Sequence, residues 1–139
     1  MIRIPENLIG EIRAQGAEAY PEECCGALVG LSHNGRKVVR MTRPFANRSA
    51  DSRGRRYYVE SEAYREAEAW ARAHGLDIVG IYHSHPDHPA RPSEYDREHA
   101  WPWYSYVIVS VEGGRPRDLT SWILTEERDR FDAEEVECP

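Results

Sequence analysis

The sequence lacks the features of two classes of protein. It has only three cysteines, Cys24, Cys25 and Cys138, and an odd number with two adjacent residues does not build a disulfide framework, so we expect a reducing compartment. No apolar run approaches the roughly 20 residues of a membrane-spanning helix. The N-terminal twenty residues lack the continuous apolar stretch of a signal peptide. We therefore predict a cytoplasmic protein with no membrane partner.

Positive charge is also scarce. Eighteen basic residues face 24 acidic ones, which gives a net charge of −6, and Lys37 is the single lysine. This balance argues against a general nucleic-acid binder. The 139 residues, 40% hydrophobic and 30% charged, have the composition of a soluble globular protein. We expect one domain over residues 1–139, ending in an acidic tail at about 126–139, and no nucleic-acid partner.

Hydrophobic periodicity predicts a mixed α/β (α+β) fold with one sheet and helices packed on it. Apolar residues at helical spacing predict helices over 5–19, from the N-cap Ser61 to Gly75, and over about 93–101. β-Branched and apolar runs predict strands over 25–32, 37–42, 77–83, 104–111 and 119–125, with a hairpin turn at Asn34-Gly35. The stretch 44–56 is predicted as a loop and 57–59 as a short strand; residues 126–139 give no prediction.

The stretch IYHSHPDHPARPSEYD (81–96) carries the chemistry. His83 and His85 are two apart in an extended strand, so their imidazoles point to the same side, and we expect Pro86 to end the pairing and expose them. Asp96 follows in the first turn of a short helix. Two histidines and a carboxylate leave a fourth tetrahedral position open, as in catalytic zinc sites. Two alternatives stay open: a surface histidine pair, and a capping box between Ser93 and Asp96.

A fourth residue extends this pattern. Glu23 stands at the entry to the first core strand, in PEECCGALVG, where it could equally be an exposed acid, and Glu22 competes with it. A glutamate before this strand, followed by His-x-His, ten residues and Asp, with Ser three before the Asp, resembles the JAMM/MPN+ metalloprotease signature. The segment Pro21 to Gly26 is similar to the small prokaryotic members of that family and selects Glu23.

The resemblance implies a fold, a cofactor and a set of roles. It implies a JAMM/MPN-type domain with a curved mixed sheet, and one Zn²⁺ per chain with a bound catalytic water, held by His83, His85 and Asp96. In the family pattern Glu23 falls on the general acid/base and Ser93 on the residue that hydrogen-bonds the oxyanion. Cys24 and Cys25 are then expected to pack in the core rather than act as nucleophiles.

The resemblance also implies a substrate class. We expect a peptidase or isopeptidase that cuts after the C-terminal Gly-Gly of a ubiquitin-like or sulfur-carrier β-grasp protein, either trimming its tail or releasing a joined amino acid. The arginine-rich loop from Arg48 to Arg56 is either a solvated loop or a contact for that partner. The alternative is a non-catalytic MPN-type scaffold that binds partners without metal. A homodimer is left open.

Overall fold

The computed structural model describes residues 1–47 and 59–139. These residues form a mixed α/β fold in which three helices accompany eight strands of one sheet. In chain order the elements are β1 (Ile2–Arg3), α1 (Glu6–Ala19), β2 (Cys25–His33), β3 (Arg36–Phe45), α2 (Ser61–Ala73), β4 (Asp77–Pro86), α3 (Glu94–His99), β5 (Ser105–Glu112), β6 (Arg115–Leu124), β7 (Phe131–Glu134) and β8 (Val136–Glu137).

The sheet has the strand order β7-β6-β5-β4-β2-β3-β1-β8. Its centre joins an antiparallel β2–β4 pair to a parallel β4–β5 pair, and α3 lies in the crossover between the two parallel strands. The outermost strands, β7 and β8, are separated along the chain by Glu135 alone. Because two consecutive segments occupy opposite ends of the strand order, the sheet has to curve until its ends meet.

Local sequence explains the elements next to the centre of the sheet. Helix α1 buries Leu8, Ile9 and Ile12, which recur at the spacing of one helical face. The hairpin between β2 and β3 turns at Asn34 and Gly35, whose φ angles of 51° and 76° are those of a type I′ turn. Strand β4 is buried along almost its whole length, as expected of a central strand covered on both faces.

The predicted mixed α/β fold is confirmed, but some elements differ from the prediction, and the short strand β1 was not predicted. Strand β3 continues through Pro44 and Phe45, where a loop was predicted. Strand β1 pairs only with Lys37 and Val38 of β3, so among the described residues Pro44 has a strand partner on one side only, where a missing N–H costs little. The N-cap of α2 is Glu60, and Ser61 is its first helical residue.

A further difference concerns the C-terminal tail, and most of the predicted short strand lies outside the described residues. Residues 126–139 contain β7 and β8, which pair with β6 and β1; a short acidic segment gives no periodic signal for such long-range pairing. Of the predicted strand 57–59, only Val59 is described, and it is not in a strand. None of the described helices is both long and apolar enough to cross a membrane.

Candidate metal centre

The two histidines of the motif lie where β4 leaves its partner β2. His83 pairs with Cys25, the last β2 partner of β4, whereas the pairing with β5 continues to Pro86. His83 is fully buried and His85 is 8% exposed. Strand β4 does end at Pro86, but the expectation that this exposes the histidine pair was wrong. The imidazoles are buried because the Pro89 carbonyl, Asp96 and Glu23 lie against them.

Asp96 reaches the same point from α3. The N–H of Asp96 donates to Ser93 Oγ at 3.1 Å, and the N–H of Ser93 donates to Asp96 Oδ2 at 2.8 Å, which makes a complete capping box. The same Oδ2 lies 3.2 Å from His85 Nε2 and 3.4 Å from His83 Nε2. The sequence left the capping box and a metal-binding role of Asp96 as alternatives. The structure has the capping box, and this box also holds the Asp96 carboxylate against the two histidines.

The three atoms have the spacing of a tetrahedral metal site. His83 Nε2 and His85 Nε2 are 3.1 Å apart, so the triangle with Asp96 Oδ2 has edges of 3.1, 3.2 and 3.4 Å. Ligands about 2.0–2.1 Å from a tetrahedral Zn²⁺ stand about 3.3 Å from each other. The donor set therefore fits Zn²⁺ and leaves one coordination position without a protein ligand among these three.

Neighbouring groups set the orientation and the protonation state that these side chains need to bind a metal. His85 Nδ1 lies 2.9 Å from the carbonyl oxygen of Pro89; we assign the proton to Nδ1, which donates there and leaves the Nε2 lone pair directed at the triangle. Burial lowers the pKa of His83, which favours the neutral imidazole that ligates metals. Burial alone would raise the pKa of Asp96, but the adjacent histidines and the Ser93 N–H outweigh it and hold that pKa below its usual range.

Glu23 faces this triangle from the segment before β2. One oxygen of its carboxylate lies within 4.8 Å of a ring nitrogen of each of His83 and His85. The side chain is buried, and burial raises the pKa of Glu23 to about 8, with His85 opposing the shift and Asp96 adding to it. Glu22 is exposed on the surface. The position of Glu23 supports its selection over Glu22.

Two further residues that sequence reasoning missed hold the Glu23 segment. The Cys24 N–H donates to Ser84 Oγ at 2.8 Å, and the Ser84 N–H donates to the Cys24 carbonyl at 3.1 Å. The Asn47 side chain donates to the Glu23 carbonyl at 3.1 Å. Strand alternation was the available signal for Ser84, because a residue between two inward-facing histidines must point to the opposite face. Asn47 carried no signal, since it lay in a predicted loop.

The remaining candidates do not join the triangle. Cys24 and Cys25 are buried, and burial raises the pKa of both thiols, to about 12 for Cys25; the expected core role fits this environment. His88 is exposed and lines a cleft of about 620 Å³ together with Glu23, His85 and Ser93. The other histidines lie elsewhere: His33 beside the β2–β3 turn, His74 with its ring tilted against Trp70, and His99 stacked on Tyr95. The arginine-rich loop 48–56 lies outside the described residues.

Comparison with known proteins agrees with this geometry. Residues 5–125 match the family of prokaryotic homologs of the JAB domain. A desampylase of Haloferax volcanii is 37% identical over 109 residues, which are 78% of this chain and 76% of that protein. The tail tip assembly protein K of Escherichia phage N15 is 33% identical over 118 residues, 82% of this chain and 43% of that one. A probable TtuB-protein conjugate cleaving protease of Thermus thermophilus is 31% identical over 115 residues, 83% and 74% of the two chains.

Solved structures show the same fold. A protein from Salinibacter ruber, solved in solution, is 46% identical, with a TM-score of 0.77 over 100% of this chain and 92% of that one. A JAB1/MPN domain protein from Archaeoglobus fulgidus shares the fold at 19% identity, with a TM-score of 0.61 over 99% and 96% of the two chains. The chain belongs to the family of prokaryotic JAB-domain proteins.

Proposed function

We propose that this member of the prokaryotic JAB family is a zinc-dependent peptidase or isopeptidase that cleaves after the C-terminal Gly-Gly of a ubiquitin-like or sulfur-carrier protein. The observation that carries the proposal is the triangle of His83 Nε2, His85 Nε2 and Asp96 Oδ2, with the Glu23 carboxylate beside it. The substrate class is supported by the relatives, one named a desampylase and one named for cleaving protein conjugates.

His83, His85 and Asp96 are the residues that would hold the metal. When bound, Zn²⁺ supplies Lewis-acid chemistry that lowers the pKa of water toward ~7. The Glu23 carboxylate would accept the proton of the attacking water and return it to the nitrogen of the departing amine. Burial raises the pKa of Glu23 to about 8, and the positive charge of a bound metal would favour the ionised form that this role needs. No covalent acyl-enzyme is required, which agrees with the burial of Cys24 and Cys25.

Ser93 supports the reaction through its hydroxyl. Its Oγ accepts the Asp96 N–H, and this bond uses a lone pair, so the hydroxyl proton is left to donate to the oxygen of the scissile carbonyl as negative charge develops. Loss of one such donor costs about 10²–10³ in kcat. One side chain thus caps the helix that carries Asp96 and stabilises the reacting group.

The decisive experiment separates metal binding from catalysis. In Glu23→Gln we expect zinc content equal to wild type but almost no turnover, because an amide cannot accept the proton. Glu22→Gln is the matched control and should keep both. His85→Ala should lose zinc and turnover together, since it removes one of three protein ligands.

Zinc per chain is measured by mass spectrometry and turnover with a carrier protein bearing a C-terminal fluorogenic amide. Chelation should abolish turnover, and added Zn²⁺ should restore it. Full zinc content and activity in His85→Ala would refute the ligand assignment. A folded wild-type protein that neither retains nor takes up zinc would instead support the non-catalytic scaffold.

A further inference from the structure

An exposed pair of tryptophans stands beside the candidate metal centre. Trp101 and Trp103 are 50% and 62% exposed, and their rings stack with centroids 5.3 Å apart and planes 20° from parallel. We call this pair the tryptophan platform. Large apolar side chains clustered on a surface mark interaction sites, because leaving them in water forgoes the free energy of burial. Nothing in the proposed chemistry uses them.

The backbone under the platform is held from below. The Trp101 N–H donates to the hydroxyl of Tyr106 at 2.8 Å, and Lys37 Nζ donates to the carbonyl of Trp103 at 3.0 Å. Arg128 donates to the carbonyl preceding Trp101 at 2.8 Å and places its guanidinium 5.5 Å from the Trp101 ring centroid. A surface whose backbone is already ordered loses little conformational entropy when a partner binds.

The platform is continuous with the metal centre. It follows directly after α3, the helix that carries Asp96. A cleft of about 150 Å³ is lined by Asp96, Tyr64, Tyr95, Trp101 and Tyr106, among others. This volume accommodates a short extended segment but not a folded domain. Tyr95 also lines the larger cleft of Glu23, His85 and Ser93, so the two clefts adjoin at Tyr95 and Asp96. A protein that sends its tail along the smaller cleft must therefore keep its folded body outside, against the exposed tryptophans.

We propose that the tryptophan platform binds the folded body of the β-grasp carrier whose Gly-Gly tail enters the metal centre. The inference rests on the proposed function and adds to it the surface that recognises the substrate protein. Continuity with the cleft favours the carrier over a second copy of this chain, because a second copy on the platform would block the path to Asp96. Tryptophans are over-represented among the residues that dominate binding energy at protein interfaces.

The test compares a protein substrate with a peptide. The substrates are a β-grasp carrier protein ending in Gly-Gly with a C-terminal fluorogenic amide, and its isolated C-terminal hexapeptide with the same amide. For the double variant Trp101→Ala/Trp103→Ala we expect KM for the carrier to rise about 10- to 100-fold, from the loss of two interface hot spots. Its zinc content and its kcat on the carrier should stay at wild-type values, since no metal ligand or proton carrier changes. Because Trp101 lines the cleft that takes the tail, the peptide is compared in the single variant Trp103→Ala, which should hydrolyse it as wild type does.

Leu31→Ala is the matched control. Leu31 is also a large exposed apolar residue, 43% exposed, but it lies six residues along β2 from Cys25, which is about 20 Å of extended strand. It should leave all of these parameters unchanged. If the double variant does not fold, as judged by circular dichroism, the single variant Trp103→Gln replaces it, because the Trp103 side chain is the more exposed of the two.

Several results would overturn the inference. An unchanged KM would remove the platform from recognition, and equal losses on carrier and peptide would show that it supports the active site itself. A wild-type dimer in sedimentation that the double variant loses would assign the platform to a second copy of this chain. If wild type cleaves neither substrate, the proposed function fails separately. In that case, calorimetric titration with the unlabelled carrier tests the platform by itself. Weaker binding of the carrier by the double variant than by wild type would retain the inference. Equal binding by both proteins, or no binding by wild type, would overturn it.

Discussion

Replacing Ser84 with alanine should impair catalysis without removing a catalytic group. The Ser84 hydroxyl lies on the face of β4 opposite the histidines and accepts the Cys24 N–H at 2.8 Å, next to Glu23. It is the side-chain contact that ties the Glu23 segment to the histidine strand. Without it, the Cys24 N–H is left buried beside a methyl group, and the Glu23 carboxylate loses its fixed distance from the ring nitrogens of His83 and His85.

The size of the effect follows from the burial of this bond. An unsatisfied buried donor costs about 1–3 kcal/mol of unfolding free energy, which lowers Tm by about 3–10 °C for a chain of this length. Residues that orient the groups around a metal typically change activity by about 10- to 100-fold. We expect kcat to fall within that range while KM stays at the wild-type value, because Ser84 is fully buried and touches no substrate.

Ser121→Ala is the control that separates positioning from stability. Ser121 is also a buried strand serine, and its hydroxyl donates to Glu134 Oε1 at 2.7 Å on β6, two strands away from the histidine strand β4. It should lower Tm as much as Ser84→Ala does and leave kcat unchanged when both are assayed well below their Tm. Equal kcat in the two variants, or a Ser84→Ala protein that loses zinc, would refute the idea that Ser84 acts by placing Glu23.

Two further predictions concern stability and thiol reactivity. Glu134 accepts hydrogen bonds from the buried hydroxyls of Ser105 and Ser121, and the Ser105 hydroxyl also accepts one from the buried Lys37 ammonium. Glu134→Ala should therefore lower the unfolding free energy by about 3–5 kcal/mol, measured by urea titration. Glu137→Ala removes only an exposed ion pair and should cost less than about 1 kcal/mol. Burial raises the pKa of Cys25 to about 12, so little of its reactive thiolate is present at pH 8. We expect iodoacetamide to modify the exposed Cys138 first and Cys25 only on unfolding, as followed by peptide mass spectrometry. Turnover assays should show that the protein modified at Cys138 keeps its activity.

The parts of the site that depend on residues close together in the chain could be predicted from the sequence. Strand alternation places the imidazoles of His83 and His85 on the same face, and the capping box between Ser93 and Asp96 is a contact across three residues. Both depend on backbone geometry over a few residues, which the identity of those residues largely dictates. The same holds for the hairpin turn at Asn34-Gly35 and for the helical face of α1.

Tertiary structure decides everything that joins distant segments. Glu23 meets the histidines because Cys25 pairs with His83 and the Ser84 hydroxyl binds the Cys24 N–H, contacts that span about sixty residues of chain. Likewise, Lys37 in β3 and Arg128 in the turn between β6 and β7 hold the backbone of the tryptophan platform. Such contacts depend on which strands pair and in which register, and pairing is selected by burial over the whole sheet rather than by any short stretch of residues.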